Sequence, residues 1–327
     1  MNEEEAIMKI GVLTAPWADQ PLEKVLGYLK ELGVQAVEIG TGNYPGNGHC
    51  DPNVMLGSED KRREFLRIIE GSGMVLSALS CHGNPLHPNP KIAMAHHEVW
   101  EKTLLLAAGL GINRIITFSG CPGDSDDARV PNWITAPWPS EHADLLAWQW
   151  TEKVIPYWKR EAGRAADEGV DICFEMHPNF VVYNPETLMK LRRACGPQIC
   201  CNFDPSHLWW QGMDPVEVIR SLGGVIKHVH AKDVRLDPRN CAVNGVLDTK
   251  HYGDEINRSW VFRTIGYGHG VSEWNDIISM LRLVGYDDVL SIEHEDSVMS
   301  AGEGLAKAIQ LLKGCMIAEP KGPMTWA

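Results

Sequence analysis

Short apolar runs alternate along the chain with longer stretches in which apolar residues recur every three or four positions. The short runs are typical of buried strands, and the three-to-four spacing is typical of helices with one buried face. The predicted strands cover residues 9–14, 34–40, 74–80, 113–119, 170–177, 198–204, 225–231 and 288–294. The predicted helices cover residues 21–32, 58–71, 91–110, 141–168, 186–195, 214–222, 273–284 and 302–314. Eight strands, each followed by a helix, predict a closed (β/α)₈ TIM barrel.

Glycines mark the helix ends of this pattern, since a glycine after the last helical residue readily takes the left-handed conformation that ends a helix. They are Gly33, Gly73, Gly111, Gly169, Gly224 and Gly285. The alternative architecture, an open doubly wound sheet, would carry a glycine-rich phosphate turn after its first strand. The segment there is LTAPWADQPLE, which has no such turn. We therefore expect a single barrel domain over residues 1–327, with residues 1–8 as a frayed acidic leader.

The composition narrows the class of partner. The chain has 30 Lys and Arg residues against 43 Asp and Glu residues, a net charge of −13. This argues against nucleic acid or an anionic membrane, because both require a basic face. The nine cysteines are an odd number with no C-x-x-C spacing, which favours reduced thiols and a cytoplasmic protein. No apolar run approaches the roughly 18 residues that cross a bilayer.

Four predicted strands in the second half end in a side chain that can bind a metal. They are Glu175 in ICFEMHP, Asp204 in ICCNFDPSH, His230 in IKHVHAKD and Glu293 in LSIEHED. In a barrel, the last inward-pointing residue of each strand projects into the mouth of the cavity, so the four can meet. Three carboxylates and one imidazole suit a hard divalent ion. We expect one such ion, with Mn²⁺ favoured and Mg²⁺ or Co²⁺ as alternatives.

The segments FEMHP, NFDPSH, HVHAKD and SIEHED resemble those of the xylose isomerase-like TIM-barrel superfamily, the sugar isomerases and epimerases that include ketose 3-epimerases and inosose-processing enzymes. The resemblance extends over most of the chain. It implies the (β/α)₈ fold and the same four metal ligands, with His207 beside the metal contacting substrate oxygens. It also implies that Glu175 and Glu293 act on opposite faces of a bound sugar.

A metal bound to adjacent carbonyl and hydroxyl oxygens makes the intervening C–H more acidic by stabilising the enediolate that forms on deprotonation. Glu175 and Glu293 could then remove a proton from one face and return one to the other, giving an epimer or an isomer. If a leaving group lies β to the enolate, the same apparatus eliminates it. The alternative function is therefore a lyase or deglycosylase acting on a 3-keto-glycoside, with His177 as an added acid or base.

The predicted substrate contacts extend beyond the metal. Arg235 lies near the place of an epimerase arginine that orients substrate, but Lys232 is equally well placed, so the orienting cation stays open. Glu38 and His82 are expected at the rim as partners of sugar hydroxyls. Tryptophans fall in predicted rim loops and could pack against a sugar or a planar aglycone: Trp133, Trp138, Trp209 and Trp210. Two long connections, 120–140 and 235–271, are expected over the carboxyl face.

A repair endonuclease of related fold is the rival from another class. Such enzymes need additional histidines for a three-metal cluster and a grip on phosphates. Here the fourth strand ends in FSGCPG without a histidine, and the chain is acidic, so this function is disfavoured. We expect a small-molecule sugar or glycoside as substrate. The expected assembly is a homo-oligomer or a complex with a small accessory subunit over the barrel mouth.

Overall fold

The computed structural model describes residues 8–319, 322, 324 and 325. Its centre is a closed barrel of eight parallel strands, in which the first strand pairs with the last. These strands are β1 (Lys9–Leu13), β2 (Ala36–Gly40), β3 (Val75–Ser80), β4 (Arg114–Thr117), β5 (Asp171–Glu175), β6 (Ile199–Phe203), β7 (Ile226–Ala231) and β10 (Val289–Ile292). Two more, β8 (Asp233–Leu236) and β9 (Trp260–Arg263), pair antiparallel outside the barrel. The predicted (β/α)₈ barrel is confirmed.

Helices surround the barrel. They are α1 (Leu22–Glu31), α2 (Pro52–Leu56), α3 (Glu59–Ser72), α4 (Pro90–Leu110), α5 (Glu141–Trp148), α6 (Ile155–Asp167), α7 (Pro185–Cys195), α8 (Pro205–Trp209), α9 (Pro215–Leu222), α10 (Pro238–Asn244), α11 (Val271–Leu283) and α12 (Ala301–Cys315). The single helix predicted over 141–168 is α5 and α6 joined by a π-helical turn, Gln149–Val154. None of the helices in the described part of the chain is long and apolar enough to span a membrane.

Glycine ends most of the helices where the sequence predicts it. Gly73 and Gly111, at φ 83° and 70°, follow α3 and α4 in the left-handed region, which a residue without a Cβ enters at little cost. One predicted cap is displaced by a residue. Gly223, at φ 49°, follows α9 in place of Gly224.

The barrel interior changes from apolar to polar along the strands. A small cluster of Ala78, Ile116, Cys173 and Cys200 fills one layer. Two residues beyond Cys200, on the same face, lies the buried Asn202. The larger apolar core lies outside this layer, between strands and helices. Polar side chains are therefore concentrated toward the carboxyl ends of the strands, where the site lies.

The two long connections differ in structure. Residues 120–140 are mostly irregular, whereas 235–271 contain the second half of β8, all of α10 and β9, and the first residue of α11. The expected leader, residues 1–8, falls outside the described residues except for Met8, which is buried.

Candidate active site and metal centre

Four strand ends bring the predicted ligands together. Glu175 ends β5, Asp204 follows β6, His230 lies in β7 and Glu293 follows β10. One potential ligand atom from each lies within 4.8 Å of the others. The sequence prediction that these side chains meet agrees with this geometry.

Two buried polar atoms of this group have no hydrogen-bond partner. Asp204 Oδ1 accepts from the Ser206 backbone N–H at 2.8 Å and so caps α8, whereas its Oδ2 accepts no hydrogen bond and has only longer contacts, to His207 Nε2 at 3.4 Å and Lys232 Nζ at 4.0 Å. His230 Nδ1 lies 3.0 Å from a Glu175 oxygen and 3.3 Å from a Glu293 oxygen, but it forms no hydrogen bond. Unpaired buried polar atoms are costly. A divalent cation between them would satisfy both, so the residues present fit a metal ion.

The pKa values of Asp204 and Glu175 are shifted in opposite directions. Burial raises the pKa of Asp204 to about 6, because its unpartnered oxygen has too little compensation for lost hydration. Burial also opposes ionisation of Glu175, but the hydrogen bond from His207 and the charge of the nearby His230 outweigh it and hold the pKa of Glu175 well below its usual range. Asp204 is thus the member of the group that most needs a nearby positive charge.

Glu38 lies deeper than the sequence predicted. It is in β2, inside the barrel and fully buried, rather than at the rim. His230 Nε2 is 3.0 Å from both of its oxygens, and the hydroxyls of Ser80 and Ser291 donate to it. Burial opposes ionisation, but the charges of His230 and His228 lower the pKa of Glu38 to about 2. An ionised Glu38 accepts the Nε2 proton of His230 and leaves Nδ1 free to ligate.

Besides His230, three side chains contact the carboxylate of Glu175. His82 Nε2 lies 3.1 Å from Oε2, Asn202 donates to Oε2 at 3.1 Å, and His207 Nε2 lies 3.1 Å from Oε1. His82 was expected at the rim against sugar hydroxyls, and the structure places it against this glutamate. The sequence prediction missed Asn202, although its position two residues before Asp204 puts it on the inward face.

Of the two candidate orienting cations, Lys232 lies beside the four strand-end side chains and Arg235 does not. The Lys232 side chain is buried, with Nζ 3.0 Å from Glu293 Oε2 and 2.5 Å from Glu295 Oε2. Burial opposes the charge, but Glu293 and Glu295 raise the pKa of Lys232 well above its usual value. Arg235 is exposed in β8. The chain has by then left the barrel, so Arg235 is not brought to the cluster.

His177 lies beside the cluster and faces a cavity. Its Nδ1 is 2.5 Å from the carbonyl oxygen of Pro178, and its ring centroid is 4.1 Å from that of His207. Burial lowers the pKa of His177 to about 3, so the imidazole is neutral near pH 7.

The cavity above His177 and His207 has a volume of about 270 Å³. Five aromatic side chains line it: Trp133, Trp210, Tyr252, Trp260 and Phe262. Two of the four tryptophans predicted at the rim are thus part of its wall. Trp209 instead stacks on His269 at 3.7 Å, and Trp138 is exposed to solvent.

The family follows from the sequence match. Residues 26–315 match the family model described as the xylose isomerase-like TIM barrel. The chain belongs to this family. The resemblance inferred from the strand-end segments is therefore confirmed.

The chain is similar to several known proteins, by sequence or by fold. The chain is 40% identical to the uncharacterized protein YfiH of Bacillus subtilis (strain 168), over 94% of this chain and 98% of that protein. It is 26% identical to an inosose dehydratase of Geobacillus thermodenitrificans (strain NG80-2), over 46% of this chain and 49% of the enzyme. A D-tagatose 3-epimerase-like protein shares the fold, with a TM-score of 0.61, 18% identity and coverage of 94% and 98% of the two chains.

If the four side chains bind a metal ion, replacing any one of them should weaken or abolish that binding. Purified protein should contain about one divalent ion per chain, and Asp204→Ala or His230→Ala should abolish it. The amount should also fall on acidification, because the ligands must be deprotonated to bind. Elemental analysis after dialysis measures this. Asp214→Ala is the matched control, since Asp214 caps α9 as Asp204 caps α8. Full retention of metal by both ligand variants would refute the site.

Glu38 should act on the metal through His230. We expect Glu38→Gln to weaken metal binding about 10- to 100-fold, the usual effect of removing the partner of a ligating histidine. Titration of the folded apoprotein with Co²⁺, followed by its absorption spectrum, measures the change. Glu161→Gln is the control, because Glu161 is an equally buried carboxylate that binds Trp100 and Arg164 away from the site. Equal affinity in Glu38→Gln and wild type would contradict this role.

Proposed function

We propose that the protein is a divalent-metal-dependent sugar isomerase or epimerase acting on a ketose or keto-sugar derivative. The observation that carries the proposal is the meeting of Glu175 and Glu293 with Asp204 and His230 at the barrel mouth. A hard, oxygen-rich ligand set favours Mn²⁺, with Mg²⁺ or Co²⁺ as alternatives. The wider family supports chemistry on small polyhydroxylated molecules.

The ligands would be Glu175, Asp204, His230 and Glu293, and the bound ion would make the C–H between two adjacent substrate oxygens more acidic. Glu293 is the more accessible base, with 16% of its side chain exposed against 2% for Glu175. One glutamate removes the proton from one face of the carbon, and the other returns a proton to the opposite face. Return to the neighbouring carbon gives an isomer instead of an epimer.

Other side chains position the substrate. His207 lines the cavity and also touches Glu175, so it can contact a substrate oxygen beside the reacting carbon. The buried ammonium of Lys232 lies next to Glu293 and can donate to a second oxygen. His177 lines the same cavity as a neutral imidazole. Closing the site from water strengthens each of these contacts.

The second candidate is a lyase that eliminates water or an aglycone. Two observations favour it. The first is the likeness to an inosose dehydratase, which extends along 46% of this chain and 49% of that enzyme. The second is the position of Lys232 beside Glu293. A glutamate would remove the proton α to the carbonyl, and the C–O or C–C bond at the β position would break. The ammonium of Lys232 would then protonate the departing group, and the neutral His177 could serve only as a base.

Solvent exchange distinguishes the two candidates. The protein is incubated in D₂O with Mn²⁺ and a panel of free ketoses, inososes and 3-keto-glycosides. Deuterium incorporation with a new epimer or isomer supports the first candidate, and loss of water or aglycone supports the second. If no member of the panel exchanges a proton or loses a group, the proposed chemistry is wrong.

Substitution should distinguish the proton-transfer roles of Glu175 and Glu293. Glu→Gln keeps the size and one ligating oxygen but removes basicity, so Glu175→Gln and Glu293→Gln should each reduce turnover about 10²- to 10⁴-fold. Each is expected to retain more of its metal than of its activity. A variant that keeps the base on one face should still exchange that face's proton with D₂O without forming epimer.

Surface Glu303→Gln is the control, since Glu303 pairs with Lys307 on α12, away from the site. Full activity of either Gln variant at the site would exclude the two-base mechanism. A one-base elimination would then be the better account.

A further inference from the structure

The aromatic cavity is continuous with the reacting groups. His207 forms part of its floor and lies 3.1 Å from Glu175. A second cavity of about 290 Å³ shares His177, Tyr252 and Phe262 with the first. A sugar placed at the metal centre would therefore extend any substituent into this space.

The walls are flat faces held in fixed orientations. Trp210 stacks on Trp260 with ring centroids 4.6 Å apart and planes 10° apart, and Tyr252 lies nearly parallel to Phe262 at 6.1 Å. The guanidinium of Arg258 lies 4.3 Å from the Tyr252 ring and 4.6 Å from the Trp260 ring. Arg258 is itself buried and donates to the carbonyl oxygen of Trp260. These contacts hold the rings of the wall in place.

The cavity offers no cation to an anionic group. Within the described part of the chain, no lysine or arginine side chain lines the cavity. Its carboxylate, Asp248, already has partners, since it pairs with Lys250 Nζ at 3.2 Å and accepts the backbone N–H groups of Lys250 and Ser259. A phosphate or carboxylate here would lose its hydration without gaining a lysine or arginine partner among the lining residues. The occupant should be neutral.

The entrance exposes apolar side chains to water. Leu247 is 65% exposed and Tyr252 is 56% exposed, although both line the cavity. Apolar surface beside a pocket is a mark of a binding site. A flat apolar group between Leu247 and the rings would remove that surface from water.

We propose that this cavity is a subsite for a neutral, flat, apolar substituent carried by the sugar. Placing the sugar itself at the metal centre rests on the function proposed above. The subsite would make Leu247, Tyr252 and Trp260 determinants of specificity, favouring substituted sugars over free or phosphorylated ones.

Coumarin, a neutral flat molecule, tests the subsite without any turnover. Binding is followed by quenching of tryptophan fluorescence and by calorimetry, for wild type, Leu247→Ser, Tyr252→Ala and the control Tyr267→Ala. Tyr267 is a partly exposed tyrosine beside Lys307, outside both cavities. For a ligand of this size we expect saturable binding at roughly millimolar concentration or tighter. Binding should weaken at least about five-fold in each cavity variant, while the control stays unchanged.

Coumarin-3-carboxylate should bind at least about ten-fold more weakly than coumarin, because no lysine or arginine lines the cavity to pair with its carboxylate. The proposal is wrong if coumarin does not saturate, if the cavity variants bind it like wild type, or if the carboxylate binds equally well. It is also wrong if Tyr252→Ala converts a dimer to a monomer, since this face would then join two copies of the chain. Failure of sugar exchange with coumarin binding intact would count against the catalytic proposal alone.

Discussion

Burial of three carboxylates beside one imidazole is the constraint on which the site depends. Two like charges 4 Å apart repel by about 4 kcal/mol at an effective dielectric constant of 20, and Glu175, Asp204 and Glu293 meet within such distances. Hydrogen bonds compensate Glu175, and Lys232 compensates Glu293. Asp204 keeps an unpartnered oxygen and a raised pKa. A divalent cation is the simplest group that would neutralise all three.

The connection beyond the barrel is tied back to Asp233, two residues after the strand that carries His230. Directly after β7, Asp233 accepts backbone N–H bonds from Gly266, Gly268 and His269. The far end of the 235–271 connection is thereby fixed beside the metal group, and β9 places Phe262 over Lys232 at 4.4 Å. Asp233 therefore ties the end of the connection that carries Phe262 to the chain beside the four strand-end side chains.

The sequence predicted what depends on strand periodicity and missed what depends on depth. A strand-end Glu or His projects into the barrel mouth by alternation alone, so the meeting of the four side chains could be predicted. The depth of Glu38 was missed, because it is the middle residue of β2 and lies inside the barrel below the mouth. Arg235 and Lys232 were indistinguishable in sequence, since nothing local shows that the chain leaves the barrel at Asp233. Asn202 was within reach of the period-two rule and was overlooked.

The central claim is that a divalent ion joins the four strand ends. Anomalous X-ray diffraction from crystals grown with Mn²⁺, collected on both sides of the manganese absorption edge, tests it most directly. The account predicts one strong peak per chain, about 2.0–2.4 Å from oxygens of Glu175, Asp204 and Glu293 and from Nδ1 of His230. A peak elsewhere, or none at full occupancy of Mn²⁺ in solution, would contradict it.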